Sequence, residues 1–219
     1  MRVGVLGGTG PAGSGLAARL ASVGLDVVIG SRSRDRAQEA CAAVAQRWPE
    51  RVLALGPGTN AEAADADVVV VATPWDAAAA TVASVAKQLD GKVVISMANA
   101  LTKMGDEFEP LVPPRGSVAA HVQTAVPGAR VAAAFHHLPA KALANLARPV
   151  ESDVLVCSDH PSAFEATAEL VELIPNLRPL NAGSLSNATP IEAITAVLLQ
   201  LNVRYRTRAA VRFTGIDLR

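Results

Sequence analysis

Short apolar runs rich in β-branched residues alternate along the chain with longer segments whose apolar residues recur at helical spacing. The first run, Arg2 to Leu6, ends in a glycine-rich stretch, and a helical pattern follows from Ser14 to Val23. A second run, Asp26 to Ile29, completes a strand–turn–helix–strand unit. Because these strands are continuously apolar, the pattern predicts a parallel sheet covered on both faces.

The same alternation continues to about residue 150 and weakens beyond it. It predicts further strands at 52–55, 68–72, 93–96, 131–135, 154–157 and 177–181, and helices at 35–48, 60–66, 75–89, 118–126, 162–173 and 190–204. Asn60 is a predicted N-cap, and Ser162 with Glu165 a predicted capping box. Residues 97–116, with three prolines, are expected to be the least regular part.

The glycine-rich turn after the first strand fits the dinucleotide-binding spacing G-x-G-x-x-G with Gly8, Gly10 and Gly13. In such a turn the glycines allow a tight bend, a close approach to a pyrophosphate, and packing of the helix on the strand. The helix N-terminus then directs its N–H groups at the phosphates. The wider spacing Gly7-x-x-Gly10-x-x-Gly13 of short-chain dehydrogenases and related sensors also fits. The motif predicts nucleotide binding and leaves the kind of protein open.

We therefore expect an α/β fold with a Rossmann-type, doubly wound parallel sheet. Residues 1–150 are predicted to be the nucleotide-binding domain. Residues 151–219 are predicted to be a small C-terminal α/β lobe that supports dimerisation, because so short a segment has little core of its own.

The turn after the second strand favours a nucleotide that carries a 2′-phosphate. NAD sites have Asp or Glu here, whereas this chain has a hydroxyl and arginines, of which Ser31, Arg32 and Arg36 are the predicted ligands. The alternative is a solvated basic turn, but positive charge at a helix N-terminus opposes the helix dipole unless an anion neutralises it. The sequence therefore predicts NADP rather than NAD.

Composition excludes several classes of protein. The 219 residues carry a formal net charge of zero and are 50% hydrophobic and 18% charged, which argues against disorder and against a basic nucleic-acid face. No apolar run is long enough to cross a bilayer, and no basic-then-apolar leader precedes the first strand. Cys41 and Cys157 match neither a metal nor a disulfide spacing. We expect a soluble cytoplasmic protein with no metal, membrane or nucleic-acid partner.

The chain lacks the proton-transfer groups of common nicotinamide enzymes. Its one tyrosine, Tyr205, has Ala209 where short-chain dehydrogenases have Lys, and no carboxylate partner is evident for His121, His136 or His137. HExxH, CxxC, GKS/T and GxSxG are absent, and too few residues follow residue 150 for a large helical substrate domain. This lack favours hydride exchange with a second cofactor, which supplies its own chemistry.

Five segments together resemble the NADPH-dependent reductases of coenzyme F420, an 8-hydroxy-5-deazaflavin, over nearly the whole chain to about Leu201. They are GGTGPAGSGLA at 7–17, GSR at 30–32, ATPW at 72–75, FHHLPA at 135–140 with 144–146, and LRPLNAGSLSN at 177–187.

The resemblance implies where two cofactors bind. The glycine loop would hold the NADP pyrophosphate, Thr73 and Pro74 would lie beside the nicotinamide, and His136, Leu138 and residues 96–99 would line the deazaflavin pocket. The predicted cofactor-binding residues are Gly8, Thr9, Gly10, Pro11, Ala12, Gly13, Ser31, Arg32, Arg36, Thr73, Pro74, Trp75, Ser96, Met97, Asn99, His136, Leu138, Ala182 and Gly183.

The predicted function is hydride transfer between NADP(H) and coenzyme F420 as the second substrate, which requires alignment of two rings and exclusion of water. No residue is assigned as catalytic. His136 is a candidate or a structural histidine, and Trp75 either walls the pocket or belongs to the core. The alternatives are an NADP-dependent reductase of a flavin, ferric iron or an imine, and a non-enzymatic NADP-binding sensor.

Two features near the end of the chain concern partners. The apolar helix at 190–203 predicts a partner subunit, and a homodimer is the simplest closed assembly. The basic run 204–212 either meets the polyglutamate tail of the coenzyme or is a surface face of the helix, and the surface interpretation is preferred.

Overall fold

The computed structural model describes residues 1–216 and contains an eight-stranded sheet and a two-stranded hairpin. The strands are β1 (Arg2–Leu6), β2 (Asp26–Ser31), β3 (Leu55–Thr59), β4 (Val68–Val71), β5 (Val93–Ser96), β6 (Leu101–Met104), β7 (Glu107–Pro110), β8 (Arg130–Ala133), β9 (Ser152–Ser158) and β10 (Leu177–Asn181). The helices are α1 (Pro11–Ser22), α2 (Arg34–Arg47), α3 (Asn60–Ala64), α4 (Trp75–Ala83), α5 (Ala86–Leu89), α6 (Val118–Ala125), α7 (Ala140–Leu143), α8 (Pro161–Glu172) and α9 (Ala188–Tyr205).

The strand order β3-β2-β1-β4-β5-β8-β9-β10 confirms the predicted Rossmann-like sheet. The six strands from β3 to β8 in this order are all parallel. The chain moves outward from β1 to β2 and β3, then returns to place β4 on the other side of β1. This reversal opens a crevice at the carboxyl ends of β1 and β4, the place where such sheets bind ligands.

Both faces of the sheet are covered, as the continuous apolar strands predict. Val3 and Val5 of β1 belong to one apolar cluster and Leu6 belongs to the other, and the exposure of each is 0%. On β4, Val70 faces the first cluster and Val71 the second. A strand whose alternate side chains are buried on opposite faces has no polar position, which is why the sequence pattern does not alternate.

The strands after residue 150 extend the same sheet. β9 lies antiparallel to β8, with Ala132 paired to Ser158, and β10 lies parallel to β9. The predicted boundary therefore coincides with the change from parallel to antiparallel order and not with a break in hydrogen bonding. The division into 1–150 and 151–219 stays a prediction, and residues 217–219 lie outside the described residues.

Two predicted element boundaries are wrong at one edge of the sheet. The strand expected at 52–55 begins at Leu55, and Val52 is fully exposed. β3 contains Pro57, which an edge strand tolerates because only one of its sides pairs. The N-cap of α3 is Thr59 and not Asn60: Thr59 Oγ1 accepts from Glu62 N at 3.2 Å, and the Glu62 carboxylate accepts from Thr59 N at 2.6 Å.

Three further expectations are corrected. α8 begins at Pro161 with His160 as N-cap, so Ser162 is the second residue of the helix and makes no cap. Its Oγ accepts from Arg130 at 3.0 Å. The helix expected at 75–89 is divided into α4 and α5, because Val85 leaves helical geometry at φ −126° and ψ 23°. The irregular stretch 97–116 contains the β6–β7 hairpin.

Candidate cofactor site

The site lies where the parallel strands end. Beyond the strands, Ala72 N donates to Leu6 O at 2.9 Å, which joins the segment after β4 to the end of β1. Ala134 N donates to Ser96 O at 3.1 Å, which joins the segment after β8 to the end of β5. The segments that follow β1, β4, β5 and β8 therefore all lie at the carboxyl edge of the sheet. They are the glycine loop and the segments that contain Thr73, Ser96 and His136.

The glycine loop is held tightly against the sheet. Gly8 N lies 3.2 Å from Val5 O and 3.0 Å from Gly30 O, and donates to both. A Cβ at Gly13 would lie only 2.8 Å from Gly8 Cα. The close packing of α1 on the loop therefore requires glycine at this position. At Gly10, by contrast, a Cβ would meet no protein atom within 4 Å. Protein packing does not require this glycine, whereas the close approach of a pyrophosphate does.

The N-terminus of α1 is not capped by a side chain. α1 begins at Pro11, its N-cap is Gly10, and its first turn carries no acidic residue. The N–H groups of Ala12 and Gly13 are therefore among the first-turn donors that have no partner within the helix. Together with the dipole of a 12-residue helix, they form a site suited to an anion.

Two side chains from later segments contact this loop. Asn60 Oδ1 accepts from Gly7 N at 3.1 Å. The sequence pattern predicts an N-cap role for Asn60 and gives no sign of this contact. Thr73 packs so closely that a Cβ on Gly7 would lie 2.3 Å from Thr73 Cγ2. Thr73 Oγ1 is buried and has no hydrogen-bond partner among residues 1–216. Trp75 packs against one apolar cluster, which favours its core interpretation.

The turn after β2 presents two arginines that are not engaged by the protein. Arg34 forms an ion pair with Glu62, whereas Arg32 and Arg36 are exposed and form no ion pair within the described chain. Ser31 is buried at the end of β2, and its Oγ accepts from the N–H of the Ser33 backbone at 3.3 Å. The three predicted 2′-phosphate ligands are thus brought to the end of β2, with Arg34 occupied elsewhere.

His136 and Leu138 lie on a buried turn that leaves β8. Phe135 has φ +63° although it is not glycine, and Leu138 N donates to Phe135 O at 3.1 Å to close the turn. A left-handed conformation at a buried aromatic residue is strained and persists only where the surroundings hold it. Such strain is concentrated at functional sites.

His136 is neutral at physiological pH. Burial, followed by the neighbouring charge of His137, lowers the pKa of His136 to about 3. A contact with the Ala134 backbone acts to raise this pKa, but neither ring nitrogen makes a hydrogen bond of normal geometry with residues 1–216. His136 can therefore offer a neutral donor or acceptor to a ligand, but it cannot act as an imidazolium acid.

A helix from the end of the chain reaches this turn. Asn99 Nδ2 donates to His136 O at 2.7 Å, and Thr195 Oγ1 donates to Asn99 Oδ1 at 3.2 Å. Thr195 is on α9, 96 residues beyond Asn99 in sequence. No local motif marks Thr195, so the sequence analysis missed it.

The other face of the turn is fixed by His137 and Asp153. His137 Nε2 lies 2.8 Å from the Asp153 backbone carbonyl oxygen, which gives His137 a structural role. Burial by itself would raise the pKa of the Asp153 carboxyl. Its hydrogen bonds, of which the one from Arg178 has the largest effect, outweigh burial and lower this pKa to about 2. Arg212 and Phe213 N also donate to this carboxylate, at 3.0 and 2.6 Å. The segment after α9 is thereby attached beside the site.

Glu192 fastens α9 to α6. Its carboxylate accepts from Val118 N at 2.8 Å and from Ala119 N at 3.1 Å, at the start of α6. Burial raises the pKa of Glu192 to about 7, although these two hydrogen bonds act to lower it. This buried acid was also missed, because its partners are backbone groups 73 and 74 residues away.

Four predicted positions lie at the end of β5 and in the turn after β10. Ser96 and Met97 are buried at the end of β5, and Ser96 Oγ has no hydrogen-bond partner within residues 1–216. The turn at Ala182 and Gly183 contacts β9 instead: Ala182 N donates to Val156 O at 2.9 Å. The place of that turn beside a cofactor stays a prediction.

Two classes of site are not found in the described part of the chain. Residues 1–216 contain no group of three or more His, Cys, Asp or Glu side chains placed to hold a metal ion. None of their helices has the length and apolar character needed to span a membrane. Burial raises the pKa of the Cys41 and Cys157 thiols to about 11, and both are free.

Comparison with known proteins agrees with the geometry. The family model described as NADP oxidoreductase coenzyme F420-dependent matches residues 2–100. The chain is 39% identical to the F420-dependent NADP reductase of Methanothermobacter thermautotrophicus, over 99% of this chain and 96% of that protein. It is 33% identical to the F420-dependent NADP reductase of Methanocaldococcus jannaschii, over 100% of both chains. A crystal structure of a proposed F420-dependent NADP reductase from Arthrobacter sp. superposes with a TM-score of 0.83 at 24% identity, over 98% and 99% of the two chains, which supports the fold.

Proposed function

Because the chain belongs to the family of coenzyme F420-dependent NADP oxidoreductases, we propose that it transfers a hydride between NADP(H) and the deazaflavin coenzyme F420. The observation that carries this proposal is the edge of the sheet where an uncapped helix N-terminus, an open Gly10 and a buried histidine turn meet. A reductase of a flavin, ferric iron or an imine, and an NADP-binding sensor, are not favoured by the relatives.

The residues present fit two cofactors. The open space at Gly10 and the uncapped α1 N-terminus suit a pyrophosphate, and Arg32 and Arg36 suit a 2′-phosphate. Thr73 Oγ1 and Ser96 Oγ are buried and have no hydrogen-bond partner among the described residues. Since a buried hydroxyl without a partner is costly, these two atoms are the expected contacts for ring substituents of the bound cofactors.

The chain's own part in the reaction is alignment and exclusion of water. The nicotinamide and deazaflavin rings, when bound, supply the hydride donor and acceptor carbons. The strained turn at Phe135 holds His136 and Leu138, and Asn99 fixes the His136 carbonyl. Reduction of the deazaflavin consumes a proton together with the hydride. Because His136 is neutral, it is not the acid that supplies this proton, and solvent would supply it. Rigid placement of this kind contributes to rate by proximity.

The test is direct. The protein is mixed with NADPH and oxidised F420, and loss of the deazaflavin's visible absorbance is followed. Bleaching at a rate that saturates with both substrates is expected. NADPH binding without bleaching, while another acceptor is reduced, would overturn the deazaflavin assignment.

The 2′-phosphate assignment is tested with a matched pair of variants. Arg32→Gln is expected to raise the KM for NADPH by about 10- to 100-fold, because a charge-assisted pair contributes about 1.5–3 kcal/mol. Arg34→Gln is the control, since Arg34 is paired with Glu62, and should change that KM by about 2-fold at most. An equal effect of Arg32→Gln on NADPH and NADH would contradict the assignment.

A homodimer is the assembly proposed for this chain. Ile194, Val197 and Leu201 form one apolar stripe on α9, and they are 38%, 55% and 36% exposed. Val197→Asp is expected to halve the mass measured by sedimentation equilibrium. Val52→Asp, at a fully exposed valine after α2, is the control and should leave the mass unchanged. A monomeric wild-type protein would refute the proposal. Residence in the cytoplasm and the lack of a nucleic-acid partner stay predictions.

A further inference from the structure

A second concave surface lies next to the proposed cofactor site. We name it the basic groove and define it by Lys141, Arg148, Arg206 and Arg208, which line a cavity of about 810 Å³. The remaining lining residues are uncharged and polar: Asn145, Asn202 and Thr207. Although the whole chain has a formal net charge of zero, this cavity gathers four cations and no carboxylate among its described lining residues.

The cations of the basic groove are not neutralised by the protein. All four side chains are exposed, and none forms an ion pair with a carboxylate within residues 1–216. Cations near the C-terminus of α9 interact favourably with its dipole, which accounts for Arg206. It does not account for the convergence of Lys141 and Arg148 from another segment. Four like charges around one cavity repel one another, and an anion between them relieves that repulsion.

The segment that carries Lys141 and Arg148 is hydrogen-bonded to α1. Arg19 is buried in α1 and donates to the carbonyls of Ala142 at 2.8 Å, Leu143 at 3.1 Å and Arg148 at 3.1 Å. It thereby fixes α7 and the chain after it against α1. On the opposite wall the chain turns at Arg206, with φ 50°, after α9 ends. Lys141 and Arg148 are therefore carried by a segment that hydrogen bonds hold against α1.

The basic groove adjoins the proposed cofactor site. One neighbouring cavity shares Arg148 and Arg208 and extends to Pro139, the residue after Leu138 of the buried turn. The exposed Glu151 also lines that cavity, so the two shared arginines face one carboxylate there and none in the basic groove. Another shares Lys141 and Arg208 and extends to Pro11 at the start of α1. The groove therefore lies next to the residue that follows the buried turn and next to the first residue of α1.

We propose that the basic groove binds the anionic side chain of the second substrate, a chain of carboxylate and phosphate groups attached to the deazaflavin ring. This inference rests on the proposed function. It replaces the surface interpretation of the basic run 204–212 for Arg206 and Arg208, while Arg204 points to a different partner, Glu107, at 3.4 Å. Exposed ion pairs are individually weak, so several are needed for a useful gain in affinity.

The test compares binding of two ligands by fluorescence titration in the presence of NADP⁺: complete F420, and its deazaflavin core without phosphate or carboxylates. Wild type is expected to bind complete F420 at least about 10-fold more tightly, with an advantage that shrinks as salt is raised. The double variant Arg206→Gln, Arg208→Gln should lose most of that advantage and bind the core as wild type does. Arg204→Gln, at the end of the same helix, is the control and should retain it.

Three results would overturn the inference. They are equal affinity of wild type for the two ligands, equal weakening of both by the double variant, or weakening of NADP⁺ binding alone. A free polyglutamate peptide should compete with complete F420 but not with the core; a peptide that binds without competing would assign the groove to an independent polyanion. Failure of the proposed function is a different result, since wild type would then bind neither deazaflavin.

Discussion

The buried carboxyl of Glu192 makes the stability of the fold depend on pH in an unusual direction. Most buried carboxylates are paired with cations and lose stability in acid, whereas Glu192 contacts only backbone N–H groups. Its pKa is raised from an ordinary 4.5 to about 7 in the folded protein. Between these values the folded chain holds a proton that the unfolded chain releases.

The magnitude follows from linkage. Each pKa unit corresponds to about 1.36 kcal/mol, so the free energy of unfolding is expected to fall by ~3 kcal/mol between pH 4.5 and pH 7 from this group alone. The contribution is fully present below pH 4.5 and is lost as pH rises through about 7. Glu192→Gln keeps the shape of the side chain and removes the titration. From pH 5 to pH 8 the variant should therefore gain ~2–3 kcal/mol relative to wild type.

Thermal unfolding at the two pH values measures this gain. For a chain of this size, 2–3 kcal/mol corresponds to a relative rise in Tm of about 5–10 °C. Glu165→Gln, at an exposed glutamate of α8, is the control and should shift Tm equally at both pH values. If Glu192→Gln is more destabilising at pH 8 than at pH 5, the carboxylate is stabilised as an anion by the α6 N-terminus, and the burial argument is refuted.

Two further predictions concern packing around α1. Gly13→Ala should lower the free energy of unfolding in urea by about 1–3 kcal/mol, because the new Cβ would lie 2.8 Å from Gly8 Cα. Gly10→Ala is the matched control for stability. It should leave the urea midpoint unchanged and weaken NADPH binding at least about 10-fold. A shift of the midpoint by Gly10→Ala would contradict the open space at that position. Arg19→Met should lower the free energy of unfolding by about 3–5 kcal/mol, since it removes the charged donor from several carbonyl oxygens. A decrease under about 1 kcal/mol would show that water replaces the guanidinium.

The fold was predictable where the sheet is buried and less so at its edge. β1 and β4 are covered on both faces, so their sequences contain nothing but apolar residues and glycine after the first position. β3 lies at the edge and reads Leu-Gly-Pro-Gly-Thr, which has the composition of a turn. Pairing with β2, and not intrinsic preference, makes this segment a strand.

The candidate site divides in the same way. The glycine loop and the Ser31–Arg36 turn are contiguous in sequence, so a motif and a charge pattern identify them. Asn60, Glu192 and Thr195 act through contacts with residues at least 53 positions away. Each looks like an ordinary helix residue until the fold brings it to its partner.

The bridge from Thr195 to Asn99 also sets the order in which the protein is completed during synthesis. Ribosomes add about 5–20 residues per second, and N-terminal parts of a chain fold first. The glycine loop and its sheet neighbours β1, β2 and β4 are available once residue 71 has emerged. The histidine turn gains its hydrogen bonds from α9 only when nearly the whole chain has been made. The glycine loop therefore has its sheet neighbours well before the histidine turn has its hydrogen bonds from α9.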